Sequence, residues 1–79
     1  MRHNLSPRVQ FIAKVHGLMY PPGARVELLS TENYYDDRLN IGDRGTVRFV
    51  DTIGNVHIKW DCGIKRVAIY GMDKVERVF

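Results

Sequence analysis

Pro21, Pro22 and Gly23 divide the chain into two parts whose apolar residues repeat with different periods. Proline cannot continue a helical hydrogen-bond ladder and pushes the residue before it out of the helical region, so a helix preceding Pro21 ends there. Before the break, Phe11, Ile12, Val15, Leu18 and Met19 recur at helical spacing, with Gln10, Lys14 and Gly17 on the other side. Ser6 followed by Pro7 supplies a start: the serine hydroxyl accepts an orphan backbone N–H, and proline loses nothing at the first helical position. The spacing predicts one amphipathic helix from Pro7 to Met19, its apolar stripe packed across the rest of the domain.

After the break the period becomes two. Arg25 to Leu29, Thr46 to Val50, Val56 to Trp60, Ile64 to Tyr70 and Lys74 to Val78 read as five short strands. Asp51 to Asn55 and Asp61 to Gly63 are turn sequences, and Gly71 to Asp73 suits a single helical turn. The connection from Ser30 to Arg44 is long, and loops of that length in a compact domain are commonly functional or mobile. Five short strands in a meander point to a barrel that closes its own edges. The expected fold is mainly β with one helix, a small SH3-like five-stranded β-barrel with an N-terminal α-helix: residues 1–20 form the helix and 21–79 the barrel. Phe11, Ile12, Val15, Val26, Leu28, Val47, Phe49, Val56, Ile58, Trp60, Val67 and Ile69 are the expected core.

Size limits what such a domain can hold. A chain of 79 residues buries roughly 60% of its unfolded surface on folding, which leaves no room for a deep cofactor cleft, and no cofactor is expected. With 44% hydrophobic and 27% charged residues, the composition is that of a folded soluble domain. The single cysteine, Cys62, excludes an internal disulfide, and a small secreted domain commonly needs several. The first twenty residues hold no continuous apolar run of signal-peptide length, and no membrane-spanning segment is present. The cytoplasm is the expected compartment. A net charge of +3, from 12 basic and 9 acidic residues without a block of either sign, permits an anionic partner without demanding one.

His57 to Gly63, HIKWDCG, gathers the residue types that carry chemistry. A structural zinc needs four ligands in closely spaced pairs, and besides His57 and Cys62 the soft donors are His3 and His16 in the helical segment, so no metal site is expected. Cys62 as a nucleophile would need a base in reach, and His57 lies well over ~10 Å away along an extended strand. Asp36 and Asp37 are adjacent in a loop, without the fixed separation that acid and base roles require. The glycines of IGDRG precede a strand, where a phosphate-cradling loop would precede a helix. No catalytic residue is expected. Val56, Ile58 and Trp60 share one side of the strand, which leaves His57 and Lys59 on the other.

The ordered succession PPGARVELL, IGDRGTVRFVD, GNVHIKWDCG and YGMD, from Pro21 to Asp73, resembles a family of short domains of unknown function from Gram-positive bacteria, their phages and conjugative elements. Gly45-Thr46-Val47 and Trp60-Asp61 with Gly63 look like KOW-type and other SH3-like barrels, a likeness of fold alone. In the family the residue after Trp-Asp is asparagine, where this chain has Cys62. Its loop tends to carry Asp-Pro-Tyr, where this chain has Asn33, Tyr34, Tyr35 and Asp36.

The expected function is therefore non-enzymatic binding of a macromolecule through the outer sheet face and the long loop. The candidate contact residues are Tyr34, Tyr35, Asp36, Asp37, Arg44, Arg48, His57, Lys59, Lys65 and Arg66. The family context implies a protein of a phage or other mobile element, and its sharpest form is an inhibitor of a host defence nuclease of the anti-CRISPR type. The alternative is an SH3-like or KOW-like module that binds nucleic acid, with basic residues for phosphates and tyrosines for bases. Asp43, Asp51 and Asp61 lie among the same basic residues, so a charge-mixed solvated face weighs against it. Both a monomer and a homodimer fit the sequence.

Overall fold

A computed structural model of the chain describes residues 6–32 and 38–79. It contains one helix, α1 (Pro7–Met19), and five strands, β1 (Arg25–Thr31), β2 (Arg44–Val50), β3 (Val56–Trp60), β4 (Lys65–Ala68) and β5 (Asp73–Arg77). The helix has the expected limits. Ser6 caps it by accepting from the Val9 N–H at 3.2 Å, Pro7 opens the first turn, and Tyr20 closes it by donating its N–H to His16 O.

All five strands pair antiparallel in one sheet of order β4-β3-β2-β1-β5. The mainly β fold with one N-terminal helix is as expected, but the barrel is not closed by backbone pairing. Among the described residues no ladder joins β4 to β5. Side chains cross the seam instead: Arg66 on β4 places Nη2 3.0 Å from Asp73 Oδ1 on β5. The turn between these strands is short and held by the Met72 and Asp73 N–H groups on Ile69 O, so both strands leave the sheet's ends facing each other.

The inner face holds the core: Val26, Leu28, Val47, Val56, Ile58 and Trp60, with Tyr20, Ala24, Leu39 and Ala68. Each fully buried aliphatic side chain there contributes about 1.5–3 kcal/mol relative to exposure. Polar atoms carried into this core are satisfied: Trp60 Nε1 donates to Arg66 O at 3.1 Å, and Tyr20 OH to Val75 O at 3.2 Å.

Three expected core residues lie outside it. Phe11 on α1 is 66% exposed, and Phe49 and Ile69 are exposed as well. Ile12, Val15 and Val67 are half-buried. The strands, with Tyr20, Ala24 and Leu39, fill the small interior, and α1 buries none of its residues fully. It rests on the turn between β2 and β3, where Gly54 leaves space for Ile12 and Gly54 O accepts from His16 Nδ1 at 2.7 Å.

Candidate functional site

Alternation along β3 sends Val56, Ile58 and Trp60 inward and His57 and Lys59 outward. Register then lays the neighbours beside them. Lys59 stands opposite Thr46 on β2 and Lys65 on β4, and His57 stands opposite Phe49 and Val67. The β2–β3 ladder shifts between Val47 and Phe49, leaving Arg48 as an extra residue in a bulge. That insertion turns Phe49 to the outer face. Phe49 is 43% exposed, and its ring stacks on His57 with 4.1 Å between centroids and 15° between planes. The Arg48 guanidinium lies 5.7 Å from the centre of the same ring.

The stack is anchored from below. His57 Nε2 donates to Asp51 Oδ2 at 2.9 Å, while Asp51 Oδ1 accepts from the N–H groups of Ile53 and Asn55. Burial pushes the Asp51 carboxyl up, but the hydrogen bond from His57 and those from Asn55 and Ile53 outweigh it and hold the group below the ordinary aspartate value. His57 is thereby fixed in place by a charged acceptor on the turn before its own strand.

The candidate cations fall into two groups. Arg44 pairs with Glu27 at 3.1 Å, and Arg66 lies on the inner side, 11% exposed, against the fully buried Asp73 carboxylate. Arg25 binds Asp61 through both of its terminal nitrogens, and this contact holds the Asp61 carboxyl below its usual range. Asp43 accepts from the Asn40 N–H. The acidic residues scattered among the basic ones are thus engaged within the domain. Arg48, Lys59 and Lys65 make no ion pair among the described residues. Lys59 and Lys65 also face each other directly across β3 and β4, an arrangement of like charges that costs stability.

The structure therefore brings Arg48, His57, Lys59 and Lys65 onto one continuous face and sets Arg44 and Arg66 aside in ion pairs. Tyr34, Tyr35, Asp36 and Asp37 lie outside the described residues. Phe49 is the residue that sequence reasoning missed for this face, because strict alternation from Val47 assigns it to the core and nothing in the local sequence announces a bulge at Arg48.

Other constellations offer less. Cys62 is exposed in the β3–β4 turn, its thiol 3.6 Å from Arg38 O. Among the described residues no group of three or more His, Cys, Asp or Glu side chains can hold a metal ion, and no helix is long and apolar enough to cross a membrane. A groove of about 640 Å³ runs between the end of α1, the end of β1 and the β4–β5 turn, lined by His16, Tyr20, Tyr70 and Met72 among others. Its polar groups are largely spent within the fold: His16 on Gly54, Tyr20 on Val75, and Asp73 on Thr31, Arg66 and the Ile69 N–H.

A family model described as Domain of unknown function (DUF4314) matches residues 9–78. No curated protein and no solved structure gives a significant match.

Proposed function

The chain belongs to the DUF4314 family, and from the geometry of its outer sheet face we propose that it is a non-enzymatic binding module for nucleic acid. One observation carries the reading: of the cations on β2, β3 and β4, Arg48, Lys59 and Lys65 have no acidic partner among the described residues and share a face with an exposed aromatic ring. Lysines kept opposite each other at a cost in stability fit a surface shaped for a polyanion. A ring beside them supplies a flat apolar contact for a base. The origin in a Gram-positive bacterium, phage or conjugative element, the SH3-like character of the sheet and a cytoplasmic workplace all belong to this proposal.

Titration of labelled DNA and RNA at low and raised salt tests it. Binding at low salt that weakens linearly in log–log form as salt rises is expected, because counterions are released from the phosphates. Absence of binding to either polymer at low salt removes the reading.

A protein partner, such as a host defence nuclease, is the second reading. The observation favouring it is a second groove of about 570 Å³ in which Met19, Tyr20, Leu29, Val75 and Phe79 form an apolar floor beside Lys74, Glu76 and Arg77. A partner held on the apolar part of that groove would bind with less dependence on salt than a polyanion does.

A further inference from the structure

Resting on the nucleic-acid reading, we infer that this face selects single strands, with one unpaired base stacked on the Phe49 ring and its flanking phosphates on Arg48, Lys59 and Lys65. The ring is prepared for this. One face of Phe49 is covered by His57 at 4.1 Å, and His57 is held by Asp51, which is itself held by two backbone N–H groups. Phe49 is thus the outer leaf of a fixed two-ring stack, and a base added to it extends the stack without ordering either ring anew.

In a duplex, the flat faces of the bases are covered by their neighbours, and only the edges and phosphates are offered to a protein. A ring standing on a sheet face reaches a base face only in an unpaired strand. No described helix stands on this side to enter a groove: α1 lies against the β2–β3 turn through Ile12 and His16. The Arg48 guanidinium lies over the Phe49 ring, 5.7 Å from its centre, and this flexible side chain swings aside to meet the phosphate when a base takes its place on the ring. Lys59 follows His57 by two residues on the same face of β3, about 7 Å along the strand, and Lys65 continues the line onto β4. The shared chemistry is a single strand, with ribose or deoxyribose left open.

Fluorescence anisotropy with one short labelled oligonucleotide, made as DNA and as RNA and each presented single-stranded or annealed, tests the inference. Single strands are expected to bind at least tenfold more tightly than the duplex. Phe49→Leu, which keeps an apolar side chain but loses the ring, is expected to weaken single-strand binding by about tenfold and leave duplex binding unmoved, while Phe49→Tyr keeps native affinity. Lys59→Ala and Lys65→Ala are each expected to flatten the single-strand salt dependence by about 0.7 in slope. Thermal melting of each variant confirms that it is folded. Duplex binding as tight as single-strand binding, or a folded Phe49→Leu that binds single strands at native strength, overturns the inference and leaves the nucleic-acid reading standing. Failure of every oligonucleotide to bind at low salt overturns both. A preference for RNA over DNA among single strands supports the inference and assigns the ribose a contact.

Discussion

Arg66 and Asp73 join the two ends of the sheet, with Nη2 3.0 Å from Oδ1 and the aspartate side chain fully buried. The same carboxylate accepts from the Thr31 hydroxyl on β1 and from the Ile69 N–H in the β4–β5 turn. One buried acid thereby ties β4 to β5, where no backbone ladder joins them among the described residues, and braces the adjoining turn and the end of the β1–β5 ladder. Removing one member of a buried charge pair leaves the other uncompensated, at a cost of about 3–5 kcal/mol. Asp73→Ala is expected to lower the stability of the domain by about 3 kcal/mol, read as a fall in the urea midpoint. A midpoint close to native would mean that the seam is held by something other than this carboxylate.

Asp51 gives the fold a defined acid sensitivity. Its pKa is depressed in the folded chain, because the hydrogen bonds from His57, Asn55 and Ile53 outweigh the opposing effect of burial. A depressed folded pKa means that the unfolded chain binds more protons, so the contribution is complete above the ordinary aspartate value and is lost as pH falls through the folded value. Asp51→Asn keeps an oxygen for the turn N–H groups and removes the charge that faces His57. Its stability is expected to fall less steeply than that of the native chain between about pH 5 and pH 2. Equal slopes in denaturation at several pH values would exclude Asp51 as a source of the acid loss.

Gly45 is required by proximity, since its backbone does not adopt a positive φ. A Cβ there would come within 2.6 Å of Ile58 Cγ2, 2.9 Å of Lys59 O and 3.0 Å of Trp60 Cα. Two of those atoms are backbone of the paired strand, so the β2–β3 ladder would have to spread. Gly45→Ala is expected to destabilise the domain by about 2 kcal/mol, seen as a lower Tm with the circular dichroism spectrum retained below it.

Cys62 occupies the turn after β3, where Gly63 at φ +103° takes the left-handed position and donates its N–H to Trp60 O. The strain-sensitive position is therefore Gly63, and Cys62 is an exposed turn residue. Cys62→Asn is expected to change stability by no more than about 0.5 kcal/mol and to abolish labelling by thiol reagents. A large loss of stability would give the Cys62 thiol a structural role that its geometry does not suggest.

These positions also explain what could be read from the chain alone. The helix was legible because its cap and its terminating prolines act locally, and the Val56, Ile58 and Trp60 side of β3 because period-two alternation is undisturbed there. β2 was misread beyond Val47 because a bulge is a property of two strands in register, and neither strand carries it alone. In β4 the register opposite β3 sends Ala68 inward and leaves Ile69 exposed, the reverse of what side-chain size implies. Arg66 looked like part of a basic stripe because its partner, Asp73, is found only once the sheet brings its ends together. That Arg48, Lys59 and Lys65 have no ion pair among the described residues is a result of that same sorting and could not be read from residue spacing.

The opposed lysines permit a prediction in which stability and binding move apart. Lys59 and Lys65 are cross-strand partners of like charge, and replacing one by an acid turns a repulsive pair into an attractive one worth about 0.2–1 kcal/mol. Lys65→Glu is therefore expected to raise the Tm while weakening binding of single-stranded oligonucleotides, because it removes one phosphate contact and places a negative charge beside another. Charge restored with the sign retained, as in Lys65→Arg, is expected to return both quantities toward native. If the face were an ordinary solvated surface, Lys65→Glu would stabilise the fold and leave no trace in any binding measurement, so opposite movement of Tm and affinity in one variant is the result that separates a binding face from a merely charged one.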